Sequence, residues 1–245
     1  MMSFISTCLI ALSLLAGHYT EQPVHVEEAV PILMYHEIGT PEGPWKSLYV
    51  TEENFKAQIQ YLKEQGYQTI TMAELEKNRA GIRNLPNKPI VLSFDDGYAS
   101  MYHFVYPLLK EHNMKATFYV FPDKFGTYNS LLPEQIKKMS DGGMEFGSHS
   151  MSHPDLSVIS FRQLQYEIDE SKKILEDITE KKITSFCYPA GRYNQEVIEQ
   201  LRMSGYQSAV TTKYGLAHIS QDIFELHRIR INYEDSLSAF SRKIQ

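Results

Sequence analysis

The chain has 245 residues, 42% of them hydrophobic and 22% charged, an ordinary globular composition that excludes a disordered tail, a coiled coil or a collagen-like fibre. Lys and Arg number 24 against 30 Asp and Glu, so the formal net charge is −6 and the basic excess typical of nucleic-acid-binding proteins is missing. The two cysteines, Cys8 and Cys187, are too few for a disulfide framework.

The first residues are predicted to lie outside the domain. Residues 4–16 form an apolar run without charge, which is shorter than the roughly 20 residues of a stable bilayer span. Such a run is typical of the hydrophobic region of a signal peptide, and a buried N-terminal helix is the alternative. We therefore assign residues 1–17 to a signal peptide or N-terminal anchor, residues 18–29 to a linker and residues 30–245 to the domain. The protein is expected to be exported, with any membrane attachment made through this first segment.

From residue 30 onwards, apolar runs alternate with helical patterns. Runs typical of buried strands occur at 31–35, 67–70, 89–94, 115–120, 144–148, 183–188, 206–212 and 226–231. Segments with helical spacing or helix-capping residues occur at 52–65, 72–78, 100–112, 132–141, 161–179, 195–205 and 235–243. About seven βα units in a row predict a parallel sheet with helical crossovers.

The α/β pattern favours a closed or nearly closed β/α barrel in a single domain, with an open doubly wound sheet as the alternative. No internal linker indicates a second domain. No Gly-x-Gly-x-x-Gly or Walker-type loop follows a strand, so the sequence does not support a nucleotide cofactor.

Two adjacent carboxylates follow the clearest buried strand, residues 89–94. Asp95 and Asp96 come directly after it, and Gly97 follows them. Two adjacent carboxylates repel each other when both are ionised, which raises their pKa values. A bound cation would remove this repulsion. Successive residues of an extended chain point to opposite sides, so one carboxylate could hold a metal ion while the other faces a water molecule. The alternative is an Asx turn at the start of the next helix.

Two further polar clusters follow strands. His149 and His153 are four residues apart, and with one aspartate they could form a metal site that leaves coordination positions open. Their alternative is a pair of solvent-exposed loop histidines. The segment 188–194, rich in Pro and Gly, could direct a backbone N–H into the same site as an oxyanion donor, or it could be an ordinary turn.

The segments SFDDGY, HSMSH and YPAGRYN, in this order, resemble the motifs of the carbohydrate esterase family 4 polysaccharide deacetylases. PILMYHEIG and LHRIRI are similar to signatures of the branch that includes poly-N-acetylglucosamine deacetylases, so the resemblance covers roughly residues 30–240. It implies an irregular (β/α)7 barrel and a metal-dependent hydrolase. The expected reaction removes N-acetyl groups from N-acetylglucosamine residues of a cell-envelope or secreted polysaccharide, and a poly-N-acetylglucosamine-like polymer is favoured.

Other readings of the same resemblance stay open. The substrate could be peptidoglycan, chitin oligomers or O-acetylated xylan. The chain could also be a non-catalytic carbohydrate-binding module on the same fold. In each case the expected partner is an acetylated polysaccharide, and neither a nucleic acid nor a protein partner is inferred.

The resemblance also assigns chemical roles to individual residues. Asp95 matches the catalytic base, and Asp96, His149 and His153 match the ligands of a divalent metal. Zinc is the expected metal, with Co, Ni, Mn or Fe as alternatives. The metal and the base together would activate water for attack on the acetyl group.

Three further roles depend on softer motifs. The backbone N–H of Ala190 is the expected oxyanion donor, and His227 the expected general acid, with His218 as the alternative. Cys187 stands where family members often carry an Arg that orients the base. Three arginines could supply that group instead, and the sequence does not decide between them: Arg192, Arg228 and Arg230.

Several residues of these motifs and of two neighbouring segments are expected to contact the substrate. They are Tyr98, Tyr188, Pro189, Arg192, His36 and Trp45. For His36 a supporting hydrogen bond is an equally good role. For Trp45, the only tryptophan, the choice lies between stacking on a sugar ring and anchoring its own loop.

Overall fold

The computed structural model describes residues 25–41 and 44–244. The predicted signal peptide or anchor, residues 1–17, lies outside them. Across the described residues, no helix has both the length and the apolar character needed to cross a membrane.

The elements alternate as the sequence predicts. In chain order, the described strands are β1 (Ala29–Val30), β2 (Ile32–Tyr35), β3 (Glu37–Ile38), β4 (Tyr49–Val50), β5 (Gln68–Ile70), β6 (Pro89–Asp95), β7 (Thr117–Val120), β8 (Glu145–Ser148), β9 (Ser185–Cys187), β10 (Ser208–Tyr214), β11 (Ala217–His218) and β12 (Leu226–Arg230). The α-helices are α1 (Glu52–Glu64), α2 (Met72–Arg79), α3 (Tyr106–Glu111), α4 (Pro133–Asp141), α5 (Phe161–Thr179), α6 (Gln195–Met203) and α7 (Leu237–Lys243). Predicted caps are present, for example Thr51, whose hydroxyl accepts from the N–H of Asn54 at the start of α1.

Seven parallel strands close into a ring, which confirms the predicted (β/α)7 barrel and rules out the open sheet. Around the ring the order is β2, β12, β10, β9, β8, β7 and β6, and β6 pairs again with β2. The predicted strand at 67–70 exists as β5 but stays outside this ring, because it pairs only with the first residues of β6, Pro89–Val91.

Side chains of the ring alternate between two apolar cores. Along β6, Val91 points into the barrel, where it packs with residues such as Ile32 and Leu226. Its neighbours Leu92 and Phe94 belong to the larger core between the strands and the outer helices. This alternation decides which residues near the strand ends face the barrel axis.

The amino end of the barrel is closed by α2. Leu75 packs in the inner core, while the Glu76 carboxylate accepts from the hydroxyls of Ser208 and Thr184 at 2.6 and 2.8 Å. The first N–H groups of α2 donate to the carboxylate of Glu145 at 2.7 and 3.0 Å, which satisfies the helix start. The opposite, carboxyl end of the barrel is therefore the end that stays open.

The last part of the predicted linker packs on the closed end. The N–H of His25 donates to Asn84 and that of Glu27 donates to Asn78. Strand β1 then pairs with β11 in antiparallel fashion. The chain thus enters the barrel from the end opposite the open mouth.

Candidate active site

A cleft of about 540 Å³ opens at the carboxyl end of the strands, where β/α barrels place their active sites. Its lining contains most of the predicted site residues: His36, Trp45, Ser47, Leu48, Asp95, Asp96, Tyr98, His149, His153, Tyr188, Ala190, Thr212 and Arg230.

Asp95 lies at the bottom of this cleft, where it forms a bidentate ion pair with Arg228. Its Oδ1 accepts from Nη1 of Arg228 at 2.8 Å and its Oδ2 accepts from Nη2 at 2.7 Å. Both side chains are buried, with Arg228 fully excluded from solvent. Burial alone would raise the pKa of Asp95, but the Arg228 charge outweighs it and lowers that pKa below its usual value. Asp95 is therefore an ionised, fixed carboxylate.

Arg228 is the arginine that orients Asp95, a role for which the sequence left three candidates. It comes from β12, and its Nε also donates to the carbonyl of Thr211 at 2.9 Å, while Nη1 donates to the hydroxyl of Ser93 at 3.1 Å. Nη2 lies 3.2 Å from the sulfur of Cys187, the residue that occupies the expected arginine position. A small thiol on β9 thus leaves space for an arginine that reaches across from another strand.

Asp96 leaves the strand geometry and turns toward two histidines. Its φ of 74° is in the left-handed region, so it does not continue the alternation of β6. Its Oδ1 lies 3.5 Å from Nε2 of His149 and 3.7 Å from Nε2 of His153. Burial opposes ionisation of Asp96, but the hydrogen bond from His149 and the nearby charges lower its pKa well below the usual value.

These three side chains fit a metal ion. Their ligand atoms all lie within 4.8 Å of one another. Nδ1 of His149 is 2.7 Å from the carbonyl oxygen of Cys187, which can only accept, so Nδ1 donates to it and Nε2 faces Asp96. With a metal ion bound, Nε2 would release its proton and present its lone pair to the cation. Two imidazoles and one carboxylate suit zinc and other divalent transition metals.

The loop that carries the histidines is held by a residue that the sequence analysis missed, Glu167 on α5. Its carboxylate accepts from the N–H groups of Met151 and Ser152 at 2.9 Å and from the Ser152 hydroxyl at 2.6 Å. His153 itself has a left-handed φ of 61°, which this bracing supports. Glu167 lies in the second turn of α5 and belongs to no motif, so only the folded geometry reveals its role.

His36 is the third histidine of the cleft. Its Nε2 lies 4.0 Å from Oδ2 of Asp95, and its Nδ1 is buried without a hydrogen-bond partner among the described residues. Burial lowers the pKa of His36, although the two aspartates oppose this shift. The prediction of His36 as a cleft residue therefore agrees with its position.

The predicted general acid is not in the cleft, and this prediction needs correction. On β12, Leu226, Arg228 and Arg230 face the barrel interior, so the intervening His227 points to the outside of the ring, where its Nδ1 is near Gly215. The alternative, His218, lies on β11 at the closed end of the barrel, where it pairs with Ala29. Neither histidine lines the cleft that contains Asp95.

The other predicted substrate contacts divide into two groups. Trp45 and Tyr98 line the cleft, as does Ala190, whose backbone is left-handed with a φ of 51°. Tyr188 also borders it, but its hydroxyl is engaged with the carbonyl of Phe224.

Two predicted contacts lie away from the cleft. Arg192 is exposed and pairs with Asp155 at 2.9 Å. Pro189 is buried in its turn and does not line the cleft. For these two residues the expected substrate contact is not supported, because turn packing and an ion pair at the rim account for them.

Comparison with known proteins agrees with this geometry. A family model described as polysaccharide deacetylase matches residues 82–209, which include both aspartates and both histidines. The chain belongs to the polysaccharide deacetylase family. The Bacillus subtilis protein YxkH, named as an inferred polysaccharide deacetylase, is 35% identical over 226 residues, which are 92% of this chain and 78% of that protein.

Two further relatives of this polysaccharide deacetylase are informative. The Streptococcus pyogenes deacetylase PplD, solved in complex with acetate, superposes with a TM-score of 0.84 at 29% identity and covers 91% of this chain and 100% of its own. The peptidoglycan-N-acetylmuramic acid deacetylase PdaA of Bacillus subtilis is 35% identical over 127 residues, 51% of this chain and 47% of its own length. The predictions of the family and of a polysaccharide deacetylase enzyme are thus confirmed.

Proposed function

We propose that the chain hydrolyses the N-acetyl groups of N-acetylglucosamine residues in a cell-envelope or secreted polysaccharide, with the help of a divalent metal ion. The observation that carries this proposal is the arrangement of two adjacent carboxylates with different environments. Asp95 is locked by Arg228, and Asp96 faces His149 and His153. Asp95 is therefore positioned to act as a base, while Asp96 is available as a metal ligand.

Asp96, His149 and His153 would hold the metal. Zinc is the first choice for this donor set, and Co, Ni, Mn and Fe also fit it. When bound, the cation supplies Lewis-acid chemistry that polarises the acetyl carbonyl and makes water more acidic.

The remaining side chains would orient the reactants and move protons. Asp95 accepts a proton from the attacking water, since Arg228 keeps it ionised and occupies only one lone-pair direction on each of its oxygens. The backbone N–H of Ala190 would donate to the developing oxyanion. His36 is the histidine in the cleft that the metal set does not use. The proton that Asp95 takes from water would pass to Nε2 of His36, 4.0 Å away, and from there to the departing nitrogen.

The same arrangement favours an amide over an ester as substrate. An amine is a much poorer leaving group than an alcohol unless it is protonated as the C–N bond breaks. A histidine 4.0 Å from the proposed base therefore matters most for N-acetyl groups. The name of the relative PdaA refers to an N-acetylated sugar of peptidoglycan, which is an envelope polymer. Export through the N-terminal segment would bring this chain to such a polymer.

Acetate release on three substrates tests the proposed function. Poly-N-acetylglucosamine, peptidoglycan and chitin oligomers are incubated in parallel with the zinc-loaded chain. We expect acetate from at least one of them, with the free amine formed in equal amount. O-acetylated xylan is the control substrate. If acetate appears from the xylan and from none of the other three, the proposal of an N-deacetylase is wrong.

Removing the metal is expected to abolish turnover. A chelator should reduce acetate release to background, because no side chain of the described residues can replace a divalent cation as a Lewis acid. Adding zinc or cobalt to the dialysed protein should restore the activity. Full activity in protein shown by elemental analysis to be metal-free would contradict the metal-dependent mechanism.

Replacing His36 and His227 one at a time tests which of the two histidines protonates the departing nitrogen. His36→Gln should lower kcat on an N-acetylated oligosaccharide by about 10²-fold or more, as for loss of a general acid. His227→Gln is the matched control and should keep most of the activity, because His227 lies outside the cleft. If His227→Gln lowers kcat and His36→Gln does not, His227 is the proton donor and the role proposed for His36 is wrong.

A further inference from the structure

A cationic side chain in the cleft has no hydrogen-bond or ion-pair partner among the residues that the structure describes. Arg230 lines the cleft two residues beyond Arg228, so it faces the same side of β12, about 7 Å closer to the mouth. It is half-buried. Among the described residues, its guanidinium makes no hydrogen bond or ion pair, whereas Arg228 below it uses all three of its nitrogens.

Two other cations near the open end have carboxylate partners, and a third, Lys124, lies over the ring of Tyr98. Lys213 lies 3.1 Å from Glu225, and Arg192 lies 2.9 Å from Asp155. A guanidinium that is partly removed from water loses hydration free energy, so such a group usually pairs with an anion. Burial indeed lowers the pKa of Arg230, although the two aspartates of the cleft oppose this shift.

The charges of the cleft do not supply the missing partner. The carboxylate of Asp95 is already matched by Arg228, and that of Asp96 faces the two histidines of the metal set. Glu37 accepts from the side chain of Asn129 at 2.6 Å. With a divalent cation in place, the cleft carries an excess of positive charge next to the position of the acetyl group.

We propose that Arg230 selects a substrate that carries a carboxylate on the sugar next to the acetylated N-acetylglucosamine, for example an ether-linked lactyl group or a uronic acid. This inference rests on the proposed function and narrows its substrate. The planar guanidinium matches a carboxylate with two parallel hydrogen bonds. Its place on β12 limits the anionic group to within about one sugar of the reacting acetamide.

Two tetrasaccharides of equal length test this selection. One is a peptide-free peptidoglycan fragment with free lactyl carboxylates, and the other is the neutral N-acetylglucosamine tetramer. Their kcat/KM values are measured with the zinc-loaded chain, and their Kd values by calorimetry in an Asp95→Asn background that binds glycan without turnover. Arg230→Gln should lower the ratio of anionic to neutral kcat/KM, and the matching ratio of affinities, by about 10- to 100-fold.

Two controls separate recognition from a general loss of structure. Arg230→Lys keeps the charge without the fork, so its ratio should fall between those of the wild type and Arg230→Gln. Lys213→Gln removes a paired cation at the same end of the barrel and should leave the ratio unchanged. In the wild type, binding of the anionic glycan alone should weaken as salt concentration rises.

The outcomes distinguish this inference from the proposed function. If the wild type shows no preference for the anionic tetrasaccharide, or if Arg230→Gln lowers both values equally, the selection by Arg230 is wrong while the deacetylase activity stands. If neither glycan releases acetate, the proposed function fails for both substrates, and the calorimetric ratio still decides whether Arg230 recognises the carboxylate.

Discussion

Asp95→Asn is expected to lower kcat by about 10²- to 10⁴-fold while the protein still binds its metal. The amide retains the shape of the carboxylate but cannot take a proton from water. The substitution leaves the proposed ligand set of Asp96, His149 and His153 unchanged, because Asp95 is bound to Arg228 instead. The measurement is acetate release on a defined oligosaccharide, together with the zinc content of the purified variant.

Asp155→Asn is the matched control for this substitution. Asp155 is also a carboxylate near the histidine loop, but it pairs with Arg192 at the rim and does not line the cleft. Its replacement should leave kcat within about twofold, as for most surface substitutions. Wild-type turnover in Asp95→Asn would show that another group removes the proton from water.

Arg228→Met is expected to destabilise the fold by about 3–5 kcal/mol, since it leaves the buried Asp95 carboxylate without its counter-charge. Methionine fills part of the volume but offers no donor to Asp95, Ser93 or the Thr211 carbonyl. Urea unfolding followed by circular dichroism measures the change in the free energy of unfolding.

A second variant isolates the cause of this loss. In Arg228→Met combined with Asp95→Asn, neither buried charge remains, so the double variant should be more stable than Arg228→Met alone. If the double variant is instead less stable by the sum of the two single effects, the ion pair is not what links these positions.

The fold was predictable because its signals are local and repeated. Eight apolar runs separated by capped helical patterns predicted a β/α barrel, and the ring closes as expected. The two-residue strands β1, β3, β4 and β11 were missed, because such short segments carry no periodicity. The position of β5 outside the ring depends on its pairing with Pro89–Val91, a non-local contact that local patterns do not report.

The site was predictable where adjacent residues carry the chemistry. The Asp95–Asp96 pair and the His149–His153 spacing each lie within one short segment, and the structure brings them to one cleft. The predicted position of His227 in the cleft was wrong because inward and outward positions on β12 alternate, and a shift of one residue moves His227 to the opposite face. The alternation of Leu226 with Arg228 is the signal that could have indicated this.

The choice of the orienting arginine needed the folded chain for a different reason. Arg192 is close to the motif in sequence, yet it pairs with Asp155 at the rim. Arg228 is 133 residues away from Asp95 in sequence, and the ring brings β12 beside β2 and so near β6. The sequence left three arginines open, and only the order of the strands around the ring selects Arg228.

Mass spectrometry of a defined N-acetylated oligosaccharide incubated with the zinc-loaded chain tests the central claim most directly. The account predicts stepwise loss of acetyl units with unbroken glycosidic bonds, and no loss when Asp95→Asn with bound zinc replaces the wild type. Loss of acetyl units at the wild-type rate with that variant, or an unchanged mass for every N-acetylated glycan with the zinc-loaded wild type, would contradict it.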